Sequence, residues 1–381
     1  MRTRPIAAAA AIFTATFSLA FYTTLAAKPP GNKFDGQFIF RFDTFGDEQL
    51  WTDILRMNDV IQSAVDPRTA LSVGLKVDST VLPADFLANA DLGSPATTVE
   101  LLRRNAVVGL VGKVRDGNLT SVGITCALCH STVDNSVAPG IGKRLDGWPN
   151  RDLNPGAIIA LSPAVPPDQK AVYNSWGPGR YDPRFNIDHI NGPVLIPPAY
   201  GLQNVALEIY TGDGPISYWN NYVAVTQMGG QGSFCDPRIG VCVTDTPDLV
   251  APKLPALLQY QLSLPKPAAP AGSYDVAAAA RGEAVFNGAG RCASCHTPPT
   301  YTDAPALHDA AEVGQDPAYA QRSATKKYRS TPLRGLWQHA PYFHDGSAGD
   351  LLAVVNHYDG LLGLGLSDAQ KADLVEFLKS I

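Results

Sequence analysis

The chain has 381 residues, of which 45% are hydrophobic, so it is long enough to bury a substantial core, and this length favours about two domains. Only 17% of the residues are charged, and the formal net charge is −5 at pH 7. This acidic balance, without a cluster of Lys and Arg, argues against a nucleic-acid-binding protein. Glycine and proline are abundant, with 34 and 31 residues, which predicts a loop-rich fold.

The N-terminus has the pattern of an export signal. Arg2 and Arg4 supply a positive start, an apolar run follows over residues 6–25, and small residues at 26–27 offer a cleavage site. We therefore predict a signal peptide at residues 1–27 and a periplasmic or otherwise exported mature protein without a membrane span. If the run were not cleaved, it would tether the protein to the membrane by its N-terminus.

Two helices are predicted ahead of the first cysteine. Apolar residues at helical spacing place one helix between about residues 47 and 62, namely Leu50, Ile54, Met57 and Ile61. A second helix is predicted to begin at Thr97 or Thr98, with Glu100 in its first turn, and to run toward Val108. This second helix would lead directly into the first cysteine motif.

Four of the six cysteines lie in two CxxCH motifs. Two thiols three positions apart can each add to one vinyl group of a porphyrin, and the adjoining histidine is then delivered beneath the iron as its proximal ligand. A redox dithiol or a four-thiolate zinc site also uses CxxC spacing, but neither needs a histidine after each second cysteine. The sequence therefore predicts two covalently bound haem c groups. The predicted attachment residues and proximal ligands are Cys126, Cys129 and His130, and Cys292, Cys295 and His296.

The remaining cysteines, Cys235 and Cys242, are close in sequence. In an exported protein such a pair is predicted to form a disulfide, with free thiols as the alternative. Closing so short a loop contributes only about 2–3 kcal/mol, so the predicted bond would pin a surface loop and would not hold the fold together.

A segment rich in proline and alanine, at residues 265–272, is predicted to divide the chain. Its composition is typical of an extended linker, although a rigid surface loop within one domain has the same composition. We predict an N-terminal domain with the first haem at residues 28–264 and a C-terminal cytochrome c domain with the second haem at residues 273–381.

Two helices are predicted in the C-terminal region. Ser273 or Asp275 would cap a helix over residues 276–286, which glycines end just before the second CxxCH motif. Residues 367–370 form a capping box that would open a final helix.

Short sequence elements recur in the same order after each CxxCH motif. The recurring elements are Gly201-Leu202, Tyr210 and Asp213-Gly214 in the first copy and Gly335-Leu336, Tyr342 and Asp345-Gly346 in the second. An ordered set of this kind predicts an internal repeat. The predicted architecture is therefore mostly α and loop-rich, with two cytochrome c-like haem domains related by that repeat.

The segment from Thr331 to Arg334 and the run from Ala340 to Gly346 resemble the bacterial di-haem cytochrome c peroxidase superfamily. That group includes the di-haem enzyme that matures tryptophan tryptophylquinone, and the resemblance covers about residues 122–381. Members pair a peroxide-reactive N-terminal haem with a C-terminal haem that relays electrons. They also bind calcium between their domains, so the resemblance implies calcium, although its ligands are not evident in this sequence.

The resemblance also implies a sixth ligand for the second iron. In the peroxidases this ligand is a Met that follows the Asp-Gly segment, and in the cofactor-maturing enzyme it is a Tyr. Counted from Asp345-Gly346, the position falls on Tyr358, whose phenolate would lower the redox potential, whereas Met raises it. The alternatives are a surface role for Tyr358, ligation of this iron by His357, and ligation of the first iron by Met228.

In the first copy, the corresponding stretch ends at Gln227-Met228-Gly229, where the peroxidases carry a distal Glu before Met-Gly. Cleavage of a peroxide O–O bond needs a group that takes up and returns a proton. An amide cannot do this, although it can donate a hydrogen bond to bound oxygen. The resemblance therefore makes Gln227 a candidate catalytic residue and argues against ordinary peroxidase activity. The family's Trp before this Asp-Gly is also missing, with Trp219 displaced beyond it.

The predicted function is a haem-dependent, cytochrome c peroxidase-like oxidoreductase. Its first haem would react with peroxide or oxygen, and its second haem would relay electrons from a small redox protein or another electron donor. The alternatives are a pure electron-transfer cytochrome with both irons six-coordinate and a sensor that binds small ligands without turnover. The sequence leaves the existence of a dimer open.

Overall fold

The computed structural model describes residues 35–381, so the predicted signal peptide and N-terminal tether lie outside the described residues. Helices make up 41% of the structure and the strands are short, which confirms the predicted mostly α, loop-rich fold. Within the described range, no helix is long and apolar enough to cross a lipid bilayer.

The helices are short in the N-terminal part of the chain and longer in the C-terminal part. Those of the N-terminal part are Gly36–Phe42, Met57–Ala64, Pro67–Ser72, Phe86–Asn89, Pro95–Arg103, Ala127–His130, Pro155–Ala160, Pro167–Ser175, Phe185–Asp188, Ile216–Tyr222 and Leu254–Ser263. Those of the C-terminal part are Val276–Asn287, Pro317–Gln321, Leu351–Leu362 and Asp368–Ser380. π-Helical turns occupy Gln49–Ile54 and Val223–Gln227.

The strands of the described residues pair two by two. The parallel pair is Val77–Asp78 with Ile141–Gly142. The antiparallel pairs are Leu110–Arg115 with Asn118–Ile124, Ser131–Val133 with Arg144–Asp146, Arg180–Tyr181 with Val194–Leu195, Phe234–Asp236 with Val241–Val243, and Leu307–His308 with Tyr328–Arg329. In the pair formed by Phe234–Asp236 and Val241–Val243, Cys235 lies opposite Cys242 and a disulfide joins them.

The helix predicted over residues 47–62 is interrupted. Arg56 adopts a left-handed backbone conformation with φ of 56° between the π-helical turn and the helix Met57–Ala64. Met57 and Ile61 are buried as the spacing predicts, but Ile54 is 60% exposed. The prediction of one continuous helical face is therefore wrong, because the break at Arg56 rotates the two segments relative to each other.

A β-hairpin separates the second predicted helix from the first CxxCH motif. The helix runs over Pro95–Arg103, and the hairpin of Leu110–Arg115 and Asn118–Ile124 follows it. Both the extension toward Val108 and the direct lead into the motif are therefore wrong. Asp116 and Gly117 at the turn have φ of 51° and 79°, and an Asp-Gly pair between apolar strands is the usual signal for such a hairpin.

Asp47 is a fully buried carboxyl group beside this hairpin, where it accepts hydrogen bonds from the backbone N–H of Ile124. Burial raises the pKa of Asp47 to about 9. In the unfolded chain this carboxyl ionises near its ordinary pKa of about 3.9. The folded protein therefore holds more protons than the unfolded chain between pH about 4 and about 9, so Asp47 makes stability fall as pH rises through that window.

We expect Asp47→Asn to remove this pH dependence, since the amide resembles the protonated acid. Thermal unfolding at pH 5 and pH 8 should show the variant gaining stability over the parent protein at the higher pH. The exposed Asp53→Asn controls for the loss of one carboxyl group. If the difference in melting temperature between Asp47→Asn and the parent protein were the same at pH 5 and pH 8, this expectation would be contradicted.

Two helices form the core of the C-terminal region. Val276–Asn287 begins after the cap Asp275, and Asp368–Ser380 begins at the capping box of Ser367 and Gln370, as the sequence predicts. Their contact residues include Phe286, Leu374 and Phe377. This core also contains Cys292 at its edge, so the helix pair positions the second CxxCH motif.

Gly282 lets these two helices approach closely. A β-carbon there would lie 2.0 Å from the backbone oxygen of Asp373. We expect Gly282→Ala to lower the free energy of unfolding by about 2 kcal/mol, a typical cost of overpacking, despite the higher helix propensity of alanine. Gly360→Ala is the matched control, because Gly360 lies in the helix Leu351–Leu362 and its β-carbon would meet nothing within 4 Å. Chemical unfolding measures both variants. Equal changes in the free energy of unfolding for Gly282→Ala and Gly360→Ala would contradict this packing argument.

Buried ion pairs connect the N-terminal and C-terminal parts of the chain. Arg322 binds Asp182 at 2.9 Å and Asp188 at 2.7 Å. Arg329 binds Glu208 at 3.1 Å, with both side chains less than 10% exposed. The segment 265–272, predicted as a linker, contains no helix or strand. The two parts therefore meet through charged residues far apart in the sequence.

Candidate functional site

A largely apolar cavity of about 410 Å³ surrounds the first CxxCH motif, and Cys126, Cys129 and His130 line it. Its volume and its apolar lining are typical of a pocket for an organic ligand or cofactor. Other residues of the lining come from distant parts of the sequence and include Trp51, Ile124, Ile158, Trp176, Tyr181, Ile196, Tyr210, Trp219, Val223, Gln227, Met228 and Tyr319.

The ring of His130 is held in one orientation. Its Nδ1 lies 3.0 Å from the carbonyl oxygen of Pro197, and a carbonyl only accepts hydrogen bonds, so Nδ1 carries the proton and Nε2 keeps its lone pair. Burial lowers the pKa of His130 to about 4, which keeps the imidazole neutral. A neutral histidine with a hydrogen-bonded Nδ1 is the usual form of a metal-ligating histidine.

The thiols of Cys126 and Cys129 are free in the structure. Burial raises the pKa of each to about 12, so both are protonated at neutral pH. A zinc site or a redox dithiol requires thiolates with a lowered pKa. The cavity, the free thiols and the oriented histidine together fit a covalently attached haem c better than either of those sites.

Gln227 reaches the cavity but its side chain is already fully engaged. Its Oε1 accepts from the hydroxyl of Tyr181 at 2.9 Å, and its Nε2 donates to Oδ1 of Asn186 at 3.1 Å and to Oγ1 of Thr226 at 2.9 Å. The predicted hydrogen bond from Gln227 to bound oxygen would therefore have to replace one of these contacts. Tyr181 is partly buried, and burial raises its pKa well above 10, so it retains its proton.

Met228 and Trp219 also line this cavity. Met228 is 3% exposed, and its backbone oxygen accepts from the indole of Trp51 at 2.9 Å. Trp219, displaced in sequence from the family's position, is 4% exposed and its indole nitrogen has no hydrogen-bond partner. The residues of the first copy that the sequence singled out thus come together around one cavity.

The second CxxCH motif repeats the arrangement of the first. Nδ1 of His296 lies 2.9 Å from the carbonyl oxygen of Tyr301, so its Nε2 also keeps a lone pair. Burial lowers the pKa of His296, and the thiols of Cys292 and Cys295 are free. Burial raises the pKa of Cys292 to about 11. The same donor set therefore fits a haem at both motifs.

Tyr358 and His357 both lie on the helix Leu351–Leu362 near this second motif. Burial raises the pKa of Tyr358 to about 12, and Val355 of the same helix packs in the core that also includes Cys292. Nε2 of His357 instead lies 3.0 Å from the carbonyl oxygen of Val313. The nitrogen that a histidine ligand would offer to iron is thus occupied in His357.

Comparison with known proteins identifies part of this architecture. A family model described as Cytochrome c matches residues 279–381, which include the second CxxCH motif. The methylamine utilization protein MauG of Methylorubrum extorquens is 32% identical over 121 residues, which are 27% of this chain and 34% of that protein. The predicted resemblance to the di-haem cytochrome c peroxidase superfamily is confirmed.

The likeness includes the MauG branch of that superfamily. Residues 279–381 are a cytochrome c domain, and this family binds haem c covalently. The chain spans about a third of the length of MauG, so the activity of the whole protein does not follow from this match.

Two solved structures are similar over part of the fold. Hydrazine synthase of Kuenenia stuttgartiensis has a TM-score of 0.35 at 16% identity and covers 50% of this chain and 73% of its own. A MauG-like protein associated with microbial copper homeostasis has a TM-score of 0.26 at 21% identity. The match covers 34% of this chain and 55% of that protein's chain. Both TM-scores are below 0.5, and neither similarity assigns a function to this chain.

Three residues of the first cavity were missed by the sequence analysis, namely Tyr181, Asn186 and Val223. Tyr181 and Asn186 contact Gln227 from more than 40 positions away. They lie in a segment without periodic apolar spacing, so no local signal marks them. Val223 could have been found by comparing the starts of the helices Ile216–Tyr222 and Leu351–Leu362.

Proposed function

We propose that this protein is an exported di-haem c-type cytochrome oxidoreductase of the peroxidase superfamily. In this proposal the haem at Cys126 and Cys129 reacts with peroxide or oxygen, and the haem at Cys292 and Cys295 relays electrons to it. The proposed proximal ligands are His130 and His296. The matching hydrogen bonds from their Nδ1 atoms to the carbonyls of Pro197 and Tyr301 support a haem at each motif.

Backbone geometry supports the internal repeat on which two haem domains depend. Isolated bridges pair Glu208 with Gly214 in the first copy and Tyr342 with Ala348 in the second. Left-handed conformations recur at the same spacing, at Gly201, Ile209 and Gly212 in the first copy and at Gly335, Phe343 and Gly346 in the second. This alignment shifts the Asp-Gly anchors by two positions relative to the sequence alignment.

The observation that carries the proposal is the residue that replaces Tyr358 in the first copy. The helix Leu351–Leu362 starts after the cap Asp350, and the helix Ile216–Tyr222 starts after the cap Pro215. Tyr358 is eight residues beyond its cap, and the residue eight positions beyond Pro215 is Val223, which lines the first cavity. The left-handed residues give an offset that differs by one position and places Ala224 there instead. Neither valine nor alanine has an atom that binds iron, so an open coordination position is expected at the first haem and a closed one at the second.

When bound, haem supplies the electron transfer and the iron that binds peroxide or oxygen. His130, whose Nδ1 is held by the carbonyl of Pro197, would hold the group through its free Nε2. The apolar lining excludes water from the cavity, and the hydroxyl of Tyr181 fixes Gln227 in place. Gln227 can donate a hydrogen bond to a bound oxygen, but it cannot move a proton between the two oxygens of a peroxide. Slow turnover with peroxide is therefore expected.

Stopped-flow oxidation of the fully reduced protein tests this proposal. Hydrogen peroxide or dissolved oxygen is expected to oxidise both haems, with the two absorbance changes coupled. Carbon monoxide, which binds an open ferrous iron, is expected to abolish the reaction. The proposal would be overturned if neither oxidant oxidised the reduced protein faster than it oxidises protein blocked with carbon monoxide.

Met228 favours a second candidate, the pure electron-transfer cytochrome. Its side chain is buried at the first cavity, and a thioether that reached the first iron would close it. Against this, Met228 lies five residues beyond Val223, the residue equivalent to Tyr358. The oxidoreductase is therefore the preferred function.

The remaining parts of the proposal concern partners and location. We propose an electron donor that is a small redox protein, because the acidic mature chain suits docking to a basic partner. Export and haem attachment at two CxxCH motifs would place the protein in the periplasm or a comparable compartment. Calcium is implied only by the family resemblance and has no assigned residues, and the existence of a dimer is left open by the sequence.

A further inference from the structure

Two buried arginines, Arg329 and Arg334, and the partly buried Arg151 lie where the N-terminal and C-terminal parts of the chain meet, and a single carboxylate accompanies them. Arg329 pairs with Glu208 at 3.1 Å, and Arg334 approaches the same carboxylate at 3.8 Å. Among the residues that the structure describes, Arg151 has no carboxylate within ion-pairing distance. The titratable groups around it are Tyr200, Tyr210, Tyr342 and Arg180, of which only Arg180 is charged at neutral pH. Three arginines and one glutamate leave an excess of two positive charges in this region.

Several hydrogen-bond donors in the same region have no acceptor. Nη2 of Arg151 donates to the carbonyl oxygen of His339 at 3.3 Å, whereas the buried Nε and Nη1 have no partner. Nε of Arg334 and the indole Nε1 of Trp337 are also buried without a partner. A buried donor without an acceptor costs about 1–3 kcal/mol, and more when it is charged. A cluster of such donors therefore indicates that an anionic acceptor binds here.

These donors converge on one short segment. Trp337 and His339 are two residues apart, and Nε2 of His339 lies 2.6 Å from the hydroxyl of Tyr200. Burial lowers the pKa of His339 to about 3, and the charges of Arg151 and Arg334 contribute to that shift. Arg151 therefore contacts this segment directly, and Arg334 precedes Trp337 by three residues in the sequence.

The segment lies between the two candidate haem sites. Arg151 directly follows Asn150, whose backbone N–H donates to the carbonyl oxygen of Cys129 at 2.9 Å. On the other side, Leu336 packs in the core that includes Cys292. A haem c carries a pair of propionate carboxylates on its edge, so either haem can supply the missing acceptors.

We propose that Arg151, Arg334 and Trp337 form the binding site for haem propionate groups between the two CxxCH motifs. A guanidinium group binds a carboxylate with two parallel hydrogen bonds, which suits the unpaired Nε of each arginine. Two propionates would neutralise the excess charge and satisfy the buried donors. This inference rests on the proposed function in one respect, namely that haem is bound.

Spectroelectrochemical titration of the haem-loaded protein tests the site. Loss of a buried positive charge favours the ferric state, so Arg151→Gln is expected to lower the reduction equilibrium constant of one haem about tenfold, or about 59 mV. Arg151→Lys, which keeps the charge, is expected to restore most of that loss. The haem whose spectrum responds to cyanide is the one at the first site, so the component that shifts identifies which haem supplies the propionates.

Control variants keep the test independent of folding and turnover. Arg281→Gln removes the same charge from an exposed ion pair with Asp373 and is expected to leave both potentials unchanged. Trp337→Phe removes one neutral donor and is expected to lower the reduction equilibrium constant of the same haem by less than tenfold. This variant provides the test if Arg151→Gln does not fold. Unchanged potentials of both haems in Arg151→Gln and in Trp337→Phe would overturn the inference. Because potentials are measured at equilibrium, this result is readable even if peroxide turnover fails.

Discussion

Replacement of Gln227 by glutamate is expected to increase peroxide turnover about 100-fold, the lower end of what general acid–base catalysis contributes. A carboxylate at this position can take a proton from one oxygen of peroxide and return it to the other, whereas the amide cannot. The structure accommodates the change, because the hydroxyl of Tyr181, which now donates to Oε1, can donate equally to a carboxylate oxygen. The amide of Asn186 and the hydroxyl of Thr226 can reorient to donate as well.

The measurement is the steady-state rate of peroxide reduction with a chemical electron donor. Gln227→Met is the matched control, since methionine has a side chain of similar length without a group that exchanges protons with peroxide. This variant is expected to leave the rate no higher than in the parent protein. Equal rates for Gln227→Glu and the parent would mean that Gln227 does not face the reacting oxygens, and the role of the first cavity would have to be reconsidered.

The second large effect is expected at Tyr358. A phenolate ligand stabilises ferric iron and a thioether stabilises ferrous iron, so Tyr358→Met is expected to raise the potential of the second haem by roughly 100 mV or more. Axial ligands tune haem potentials over about 0.8 V, so this shift is well within their range. The structure supports the assignment because the helix that carries Tyr358 packs, through Leu351 and Val355, in the core that also includes Cys292.

His357→Asn separates the two candidate ligands of the second iron. Nε2 of His357 is hydrogen-bonded to the carbonyl oxygen of Val313, so this replacement is expected to change the potential little. A large shift in His357→Asn together with an unchanged potential in Tyr358→Met would assign the ligand to His357 instead.

The parts of the site that the sequence predicts are those whose chemistry requires a local pattern. Thioether attachment needs two cysteines at a fixed spacing and a histidine next to the second, so both CxxCH motifs are visible directly. The capping box at Ser367 and Gln370 is equally local and is confirmed. Such features need no knowledge of the tertiary structure.

The remainder depends on contacts between distant residues. Tyr181 meets Gln227 across 46 positions, and Arg151 reaches His339 across 188. The helical spacing of apolar residues also gave a wrong prediction, since the left-handed residue Arg56 interrupts the helix predicted over residues 47–62. In the proposed repeat, matching the stretch that ends at Met228 with the stretch that ends at Tyr358 placed these two residues opposite each other, whereas the helix starts place Val223 opposite Tyr358.

The central claim is that the first haem has an open coordination position and the second does not. Low-temperature EPR of the ferric protein, before and after addition of cyanide, tests it most directly. We expect one high-spin signal that converts to low spin with cyanide and one low-spin signal that does not respond. Two low-spin signals, both indifferent to cyanide, would contradict the claim and would identify the protein as an electron carrier in this oxidation state.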